Sequence, residues 1–232
     1  MSDTNIAMHL DARGLPVCIA GPEAGAAFDH LVTGYLTYRA DTPARLTALL
    51  DADPDCALAH CMQGYFAMLA FKQAVVPVAA QAARTARSLA AKATTRERSH
   101  IDALTAWTEG ELDRAIALWE SILRSHPHDV VAFRLAHFVN FWLGRPQDMV
   151  ASVERVMPDW SEDVPGYPTI LACRCFAQEE TGNYLAAEPS GRRAIELDPG
   201  DLWAAHAVAH VMEMQGRRSE GTEWLTTLAP NW

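Results

Sequence analysis

Long apolar runs are missing from this sequence. Half of its 232 residues are hydrophobic, yet none of its apolar stretches approaches the roughly 18–20 residues needed to span a bilayer. Basic residues are in short supply: 19 Lys and Arg stand against 29 Asp and Glu, a formal net charge of −10. Such a surface repels phosphate backbones and anionic lipid, so neither nucleic acid nor membrane is expected as a partner. Residues 1–8 carry Asp3 and no basic side chain, which does not read as a secretory signal. Cys18, Cys56, Cys61, Cys173 and Cys175 are odd in number and lack zinc-type CxxC spacing. Buried, reduced thiols and a cytoplasmic home are the expectation. HExxH, a nucleophile elbow and a Gly-rich phosphate loop are also missing, and no cofactor is expected.

Strand signals are scarce. Val75–Val76 and Val130–Val131 are short and lie in helical surroundings. Alanine and leucine instead recur at three- and four-residue steps. The pattern predicts helices over 24–39, 43–52, 56–71, 76–92, 95–109, 111–125, 129–143, 146–157, 167–181, 184–197, 201–215 and 218–228. Gly110, Gly144, Gly182-Asn183 and Gly216, with prolines such as Pro54, Pro127 and Pro199, punctuate them. Twelve helices on short turns predict antiparallel pairs stacked in a row. Repetition agrees. Pro54, Pro127 and Pro199 recur at 73 and 72 residues, and Pro158 and Pro230 at 72, which is twice a tetratricopeptide unit of about 34 plus a few residues. The expected fold is all-α, a tetratricopeptide-like α-solenoid of about six antiparallel helix pairs over 23–232. Residues 1–22 should be irregular, with Leu15, Val17 and Ile19 available to pack on the first helices. The insertion at 159–165, which carries Trp160, should form a surface loop.

The run His206-Ala207-Val208-Ala209-His210-Val211-Met212-Glu213-Met214-Gln215-Gly216-Arg217, followed by Glu220-Gly221 and Trp224-Leu225, resembles the tetratricopeptide repeat protein 38 family. Gly14-Leu15-Pro16, Ala52-Asp53-Pro54 with His60, Gly64 and Tyr65, and Glu179-Glu180-Thr181-Gly182 with Tyr184 match it in order along the chain. The resemblance implies an all-α repeat fold and little biochemistry. Family chains are longer, so this one corresponds to their N-terminal part. Its last helix pair would then expose Leu225, Leu228 and Trp232, favouring self-association through the C-terminal end.

Chemistry concentrates on one helix. His206, His210 and Glu213 are spaced at four and seven residues, on one face, while Val208 and Met212 turn to the core. His137 and Asn140 occupy the equivalent positions of an earlier pair, and Glu179 and Glu180 lie on the pair between. These seven residues are the candidates for a ligand-binding concave groove. His206, His210 and Glu213 are also weak candidates for a metal, since imidazole and carboxylate at helical spacing can hold one. His60 reads as a satisfied core histidine. The basic stretch 84–98 reads as a solvated face, and Trp107, Trp119, Trp142, Trp203 and Trp224 as core or groove wall. The function expected is a scaffold whose groove binds a peptide, partner protein or small ligand. The alternative is an enzyme using the histidine- and glutamate-lined groove, with a metal as one route.

Overall fold

The computed structural model describes residues 8–231. It is all-α, with twelve α-helices among the described residues, packed in adjacent pairs. Every helix expected from the sequence is present, with ends shifted by at most four residues. The described part of the N-terminal segment, expected to be irregular, is a two-stranded antiparallel ribbon. β1 (Met8–Leu10) pairs with β2 (Pro16–Cys18), Met8 opposite Cys18. The chain divides into two compact units, one running to Tyr35 and resuming at Arg39–Ala132, the other comprising Leu36–Tyr38 and Phe133 onward.

In the first unit α1 (Pro22–Leu36), α2 (Thr42–Ala52), α3 (Ala57–Met68), α4 (Val76–Ser88), α5 (Thr95–Thr108) and α6 (Leu112–Ser125) follow one another on short turns. Helix α3 packs on α4, α5 on α6, and α3 directly on α5. In the second, α7 (Val130–Trp142), which begins in the first unit, is followed by α8 (Pro146–Val156), α9 (Tyr167–Glu180), α10 (Tyr184–Leu197), α11 (Leu202–Met214) and α12 (Arg218–Leu228). The same arrangement recurs: α9 packs on α10, α11 on α12, and α9 on α11. Alanines allow the close approach, Ala172, Ala194, Ala204 and Ala205 lying in one core with Leu171, Ile195 and Leu228.

One turn is repeated at the end of each first helix. Gly110, Gly144, Gly182 and Gly216 adopt φ of 81°, 67°, 76° and 74°. Each glycine N–H donates three residues back and the next N–H five residues back, as in Gly182 to Glu179 O (2.8 Å) and Asn183 to Gln178 O (2.8 Å). This is the Schellman closure, which satisfies carbonyls that the helix leaves without donors. Tyr38 (φ 54°) and Phe71 (φ 49°) take the left-handed position in the two earlier turns. The six positions are spaced 33, 39, 34, 38 and 34 residues apart, close to the tetratricopeptide period. Second neighbours therefore fall 72 or 73 residues apart, the spacing of the prolines.

A buried polar network ties the ribbon of the first unit to its helices. Thr94 caps α5 by accepting from Glu97 N (3.1 Å), and Glu97 Oε2 accepts from Thr94 N (2.7 Å), a capping box. The other oxygen of the fully buried Glu97 accepts from Cys18 N of β2 (3.1 Å). Arg96 donates to Pro16 O (2.9 Å) and to Asp129 Oδ2 (2.6 Å), and His100 Nε2 lies 3.0 Å from the same oxygen. Burial alone would raise the Asp129 carboxyl, but His100 and Arg96 hold it well below the usual carboxylate range. Arg96 is thus buried and paired, not part of the solvated basic face expected over 84–98. Tyr65 donates to His100 O (2.8 Å) and accepts from Trp119 Nε1 (3.2 Å), which completes the network.

Some of the other expectations hold and some are corrected. Trp142 is 62% exposed, and Trp160, in the expected surface loop, is buried. Leu228 is buried against Ala205 and Leu171, while Leu225 is 37% exposed; Trp232 lies outside the described residues. His60 is satisfied, its Nε2 lying 2.9 Å from Pro54 O, but it is half-buried rather than part of the core. Cys56, Cys61, Cys173 and Cys175 are buried free thiols, and Cys18 is half-buried.

Two stability predictions follow from this packing. Asp129→Ala strands Arg96 in a buried site and should lower unfolding free energy by about 3–5 kcal/mol in urea titrations, whereas Glu111→Ala, breaking the exposed pair with Arg114, should change it by less than about 1 kcal/mol. Glycines should divide by mechanism. A Cβ at Gly182 meets nothing within 4 Å, so Gly182→Ala should cost about 1–2 kcal/mol through φ alone. A Cβ at Gly191 would lie 2.4 Å from Val208 Cγ2 and 2.7 Å from Cys175 Sγ, so Gly191→Ala should cost about 1–3 kcal/mol by overpacking, and Val208→Ala should partly restore it.

Candidate functional site

The second unit brings together most of the residues that the sequence singled out. Asp201 caps α11 by accepting from Trp203 N and Ala204 N, both 2.9 Å. With that start fixed, Val208 and Met212 are fully buried, and His206 and His210, one turn apart, lie on another face. Their rings meet edge to face (centroids 4.3 Å, 88°) with Nε2 atoms 2.9 Å apart. One of the two must donate and the other accept, so the pair does not carry a proton on all four nitrogens. Burial, then the neighbouring His210, pushes the His206 pKa down, which favours its neutral form.

Helix α9 supplies the second wall. Its Schellman turn stops it at Glu180, leaving Glu179 and Glu180 in its last turn. Glu179 is 6% exposed, and its Oε2 lies 3.7 Å from His210 Nδ1, too long for a hydrogen bond. That oxygen is buried and has no hydrogen-bond partner. Burial, reinforced by the charge of Glu180, raises the Glu179 pKa to about 7. Glu180 is exposed, and ligand atoms of Glu179, Glu180 and His210 all lie within 4.8 Å of one another.

One turn back on α9, Phe176 organises the rings. Its centroid is 5.8 Å from His206, 6.2 Å from His210, 6.0 Å from His137 and 4.7 Å from Trp203. Trp203 also packs edge to face on His206 (4.9 Å) and Phe138 (5.2 Å). The fully buried Arg134 guanidinium lies over Tyr38 (4.8 Å) and Phe138 (5.0 Å), a cation–π arrangement. Sequence reasoning overlooked Phe176 and Arg134. The only available signal for Phe176 was its helical spacing of three and four residues from the glutamate pair.

The seven candidates do not form one wall. His137 and Asn140 are 0% and 1% exposed, so the structure places them in the interior rather than on an open groove. They lie on the buried side of α7, where Ala136 and Val139 are also buried. Glu213 is exposed and pairs with Arg218 (3.2 Å), not with the histidines. The weak metal set His206, His210 and Glu213 is therefore not assembled. His210 instead converges with Glu179 and Glu180. A shallow depression on α11 and α12 opens beside the histidines, bordered by Leu202, His206, His210, Glu213, Arg218 and Leu225, so the three α11 candidates do line one surface.

His137 makes its own prediction. Neither ring nitrogen has a hydrogen-bond partner, and burial, then the charge of Arg134, pushes its pKa down to about 3. The unfolded histidine titrates near 6.5. Between these values the unfolded chain binds a proton that the folded chain does not, so stability falls as pH drops from about 6.5 toward 3. Its contribution to the slope should approach about 1.4 kcal/mol per pH unit. Urea titrations across this window should show a flatter acid limb in His137→Phe than in the unaltered chain.

No protein-family model matches the chain.

Proposed function

We propose that this chain is a tetratricopeptide-like binding protein, working in the cytoplasm, whose second unit takes a peptide, partner protein or small ligand on the face of α9, α11 and α12. The observation that carries this reading is the histidine pair beside Glu179, with His206 half-buried and His210 exposed, held on Phe176 and Trp203 and open to a mainly apolar depression that Glu213 and Arg218 also line. Rigid rings fix the polar atoms in place, and Leu202, Ala209 and Leu225 offer apolar contact area around them, the combination expected of a recognition site. The negative net charge and the unpaired carboxylates favour a partner that is neutral or basic at its contact point, not nucleic acid or an acidic lipid surface. The spacing of the left-handed turns and the contact of first helix with first helix support the tetratricopeptide-like part of this reading.

A catalytic reading has one observation in its favour. A carboxyl with pKa near 7 beside an imidazole is poised for proton transfer. It lacks a nucleophile among the residues gathered at the site, so binding remains the reading adopted.

The test uses variants that spare the fold. His210 is 46% exposed at its side chain, so His210→Ala should lower unfolding free energy by less than about 1 kcal/mol. Affinity capture with the unaltered chain, followed by quantitative mass spectrometry, should identify partners whose recovery falls with His210→Ala and with Leu225→Glu. A large fall in melting temperature with an unchanged partner set would return these residues to a purely structural role and refute the reading.

A further inference from the structure

The carboxylates at the end of α9 are placed where electrostatics disfavours them. A helix C-terminus carries partial negative charge and stabilises cations, yet the last turn of α9 holds no basic residue and ends Glu179-Glu180. Elsewhere in the same unit, Glu154, Glu188, Glu196, Glu213 and Glu220 each meet an arginine. Among the described residues no arginine or lysine pairs with Glu179 or Glu180. Glu179 is more than nine-tenths buried, and its Oε2 has no hydrogen-bond partner. A buried carboxylate oxygen without a donor is costly, and the atom facing it is His210 Nδ1.

That imidazole is already oriented. Its Nε2 is engaged by His206 Nε2 at 2.9 Å, and the His206 ring is wedged against Trp203 and Phe176. The remaining nitrogen, Nδ1, turns toward Glu179 and stops 3.7 Å short of it. A direct hydrogen bond would be shorter. Two ligands of one tetrahedral divalent ion, each about 2.0–2.2 Å from the metal, stand about 3.3–3.6 Å apart. The gap of 3.7 Å is slightly wider than that spacing, and the donors of all three residues lie within 4.8 Å of one another.

The geometry points to a divalent transition-metal site of the zinc class, with Glu179, Glu180 and His210 as its three protein ligands and His206 as the residue that orients His210. One nitrogen and two carboxylate oxygens suit zinc and its first-row neighbours better than calcium, which takes six to eight oxygens. Three protein ligands leave a fourth position for water or for a donor atom of a bound partner. A second imidazole bonded to the far nitrogen of a ligating histidine is the kind of outer contact that fixes ring orientation in metal sites. The site shares its face with the proposed binding function but does not need a partner.

The metal alone tests it. The untagged chain, stripped with a chelator, is titrated with zinc chloride by calorimetry and with cobalt chloride by visible absorption. One equivalent should bind, and the cobalt complex should show the intense d–d bands of a four-coordinate site. Glu179→Gln and His210→Ala should each weaken zinc at least tenfold, with Glu180→Gln as the fold-neutral variant on an exposed side chain, and His206→Ala should weaken it about 10–100-fold through orientation. His60→Ala, in the first unit, should leave affinity unchanged. Absence of saturable binding would overturn the site, as would binding that survives Glu179→Gln, Glu180→Gln and His210→Ala, or that falls equally with Glu213→Gln. Since no partner enters these titrations, a negative result leaves the partner-binding function standing.

Discussion

At the end of each first helix the chain has to reverse within a few residues, while the last carbonyls of that helix lack intrahelical donors. A residue in the left-handed conformation solves both problems. It turns the backbone and aims two N–H groups at those carbonyls, as at Gly110, Gly144, Gly182 and Gly216. The second helix then returns alongside the first, and first helices of neighbouring pairs come into direct contact, α3 with α5 and α9 with α11. The candidate site depends on this constraint. Gly182 stops α9 at Glu180, and the contact of α9 with α11 sets His210 opposite Glu179.

The two units treat buried charge differently. In the first, Asp129 is surrounded by Arg96, His100 and the Ala132 N–H, and Glu97 accepts from two backbone N–H groups. Each carboxylate is satisfied, and the network fastens the β-ribbon to α5. This is a structural use of polarity, since its members are hidden from solvent and mutually paired. In the second, Glu179 is nearly as hidden but has only an imidazole 3.7 Å away, and none of the surrounding rings donates to its Oε2. Burial there raises a carboxyl toward neutrality instead of holding it ionised. That unsatisfied state separates a site from a core, and it directs functional attention to α9 and α11 rather than to the richer network in the first unit.

Much of the fold was legible in the sequence because helix periodicity and turn chemistry are local. Alanine and leucine steps marked all twelve helices, and glycine and proline marked most of their ends, though not those of α1 and α3, where Tyr38 and Phe71 make the turn. The ribbon escaped notice because three-residue strands carry almost no periodic signal, and its strand β2 is held by Arg96 and Glu97 from some eighty residues away. For the same reason Arg96 read as one charge of a solvated face: its spacing is that of its neighbours, and only the position of Asp129 explains why it is inside.

The sequence by itself determined that His206 and His210 share a face of one helix turned from Val208 and Met212, because an angle of 100° per residue fixes that within a single element. Only the tertiary structure decided which partners the face meets. The contact of α9 with α11 brought Glu179 and Glu180 to His210, while Glu213, on the same face one turn further along, remained in solvent with Arg218. His137 and Asn140 had equivalent spacing on α7, yet packing buried them. Helical spacing sets direction around an axis, but burial and pairing depend on what the neighbouring helices carry at that height.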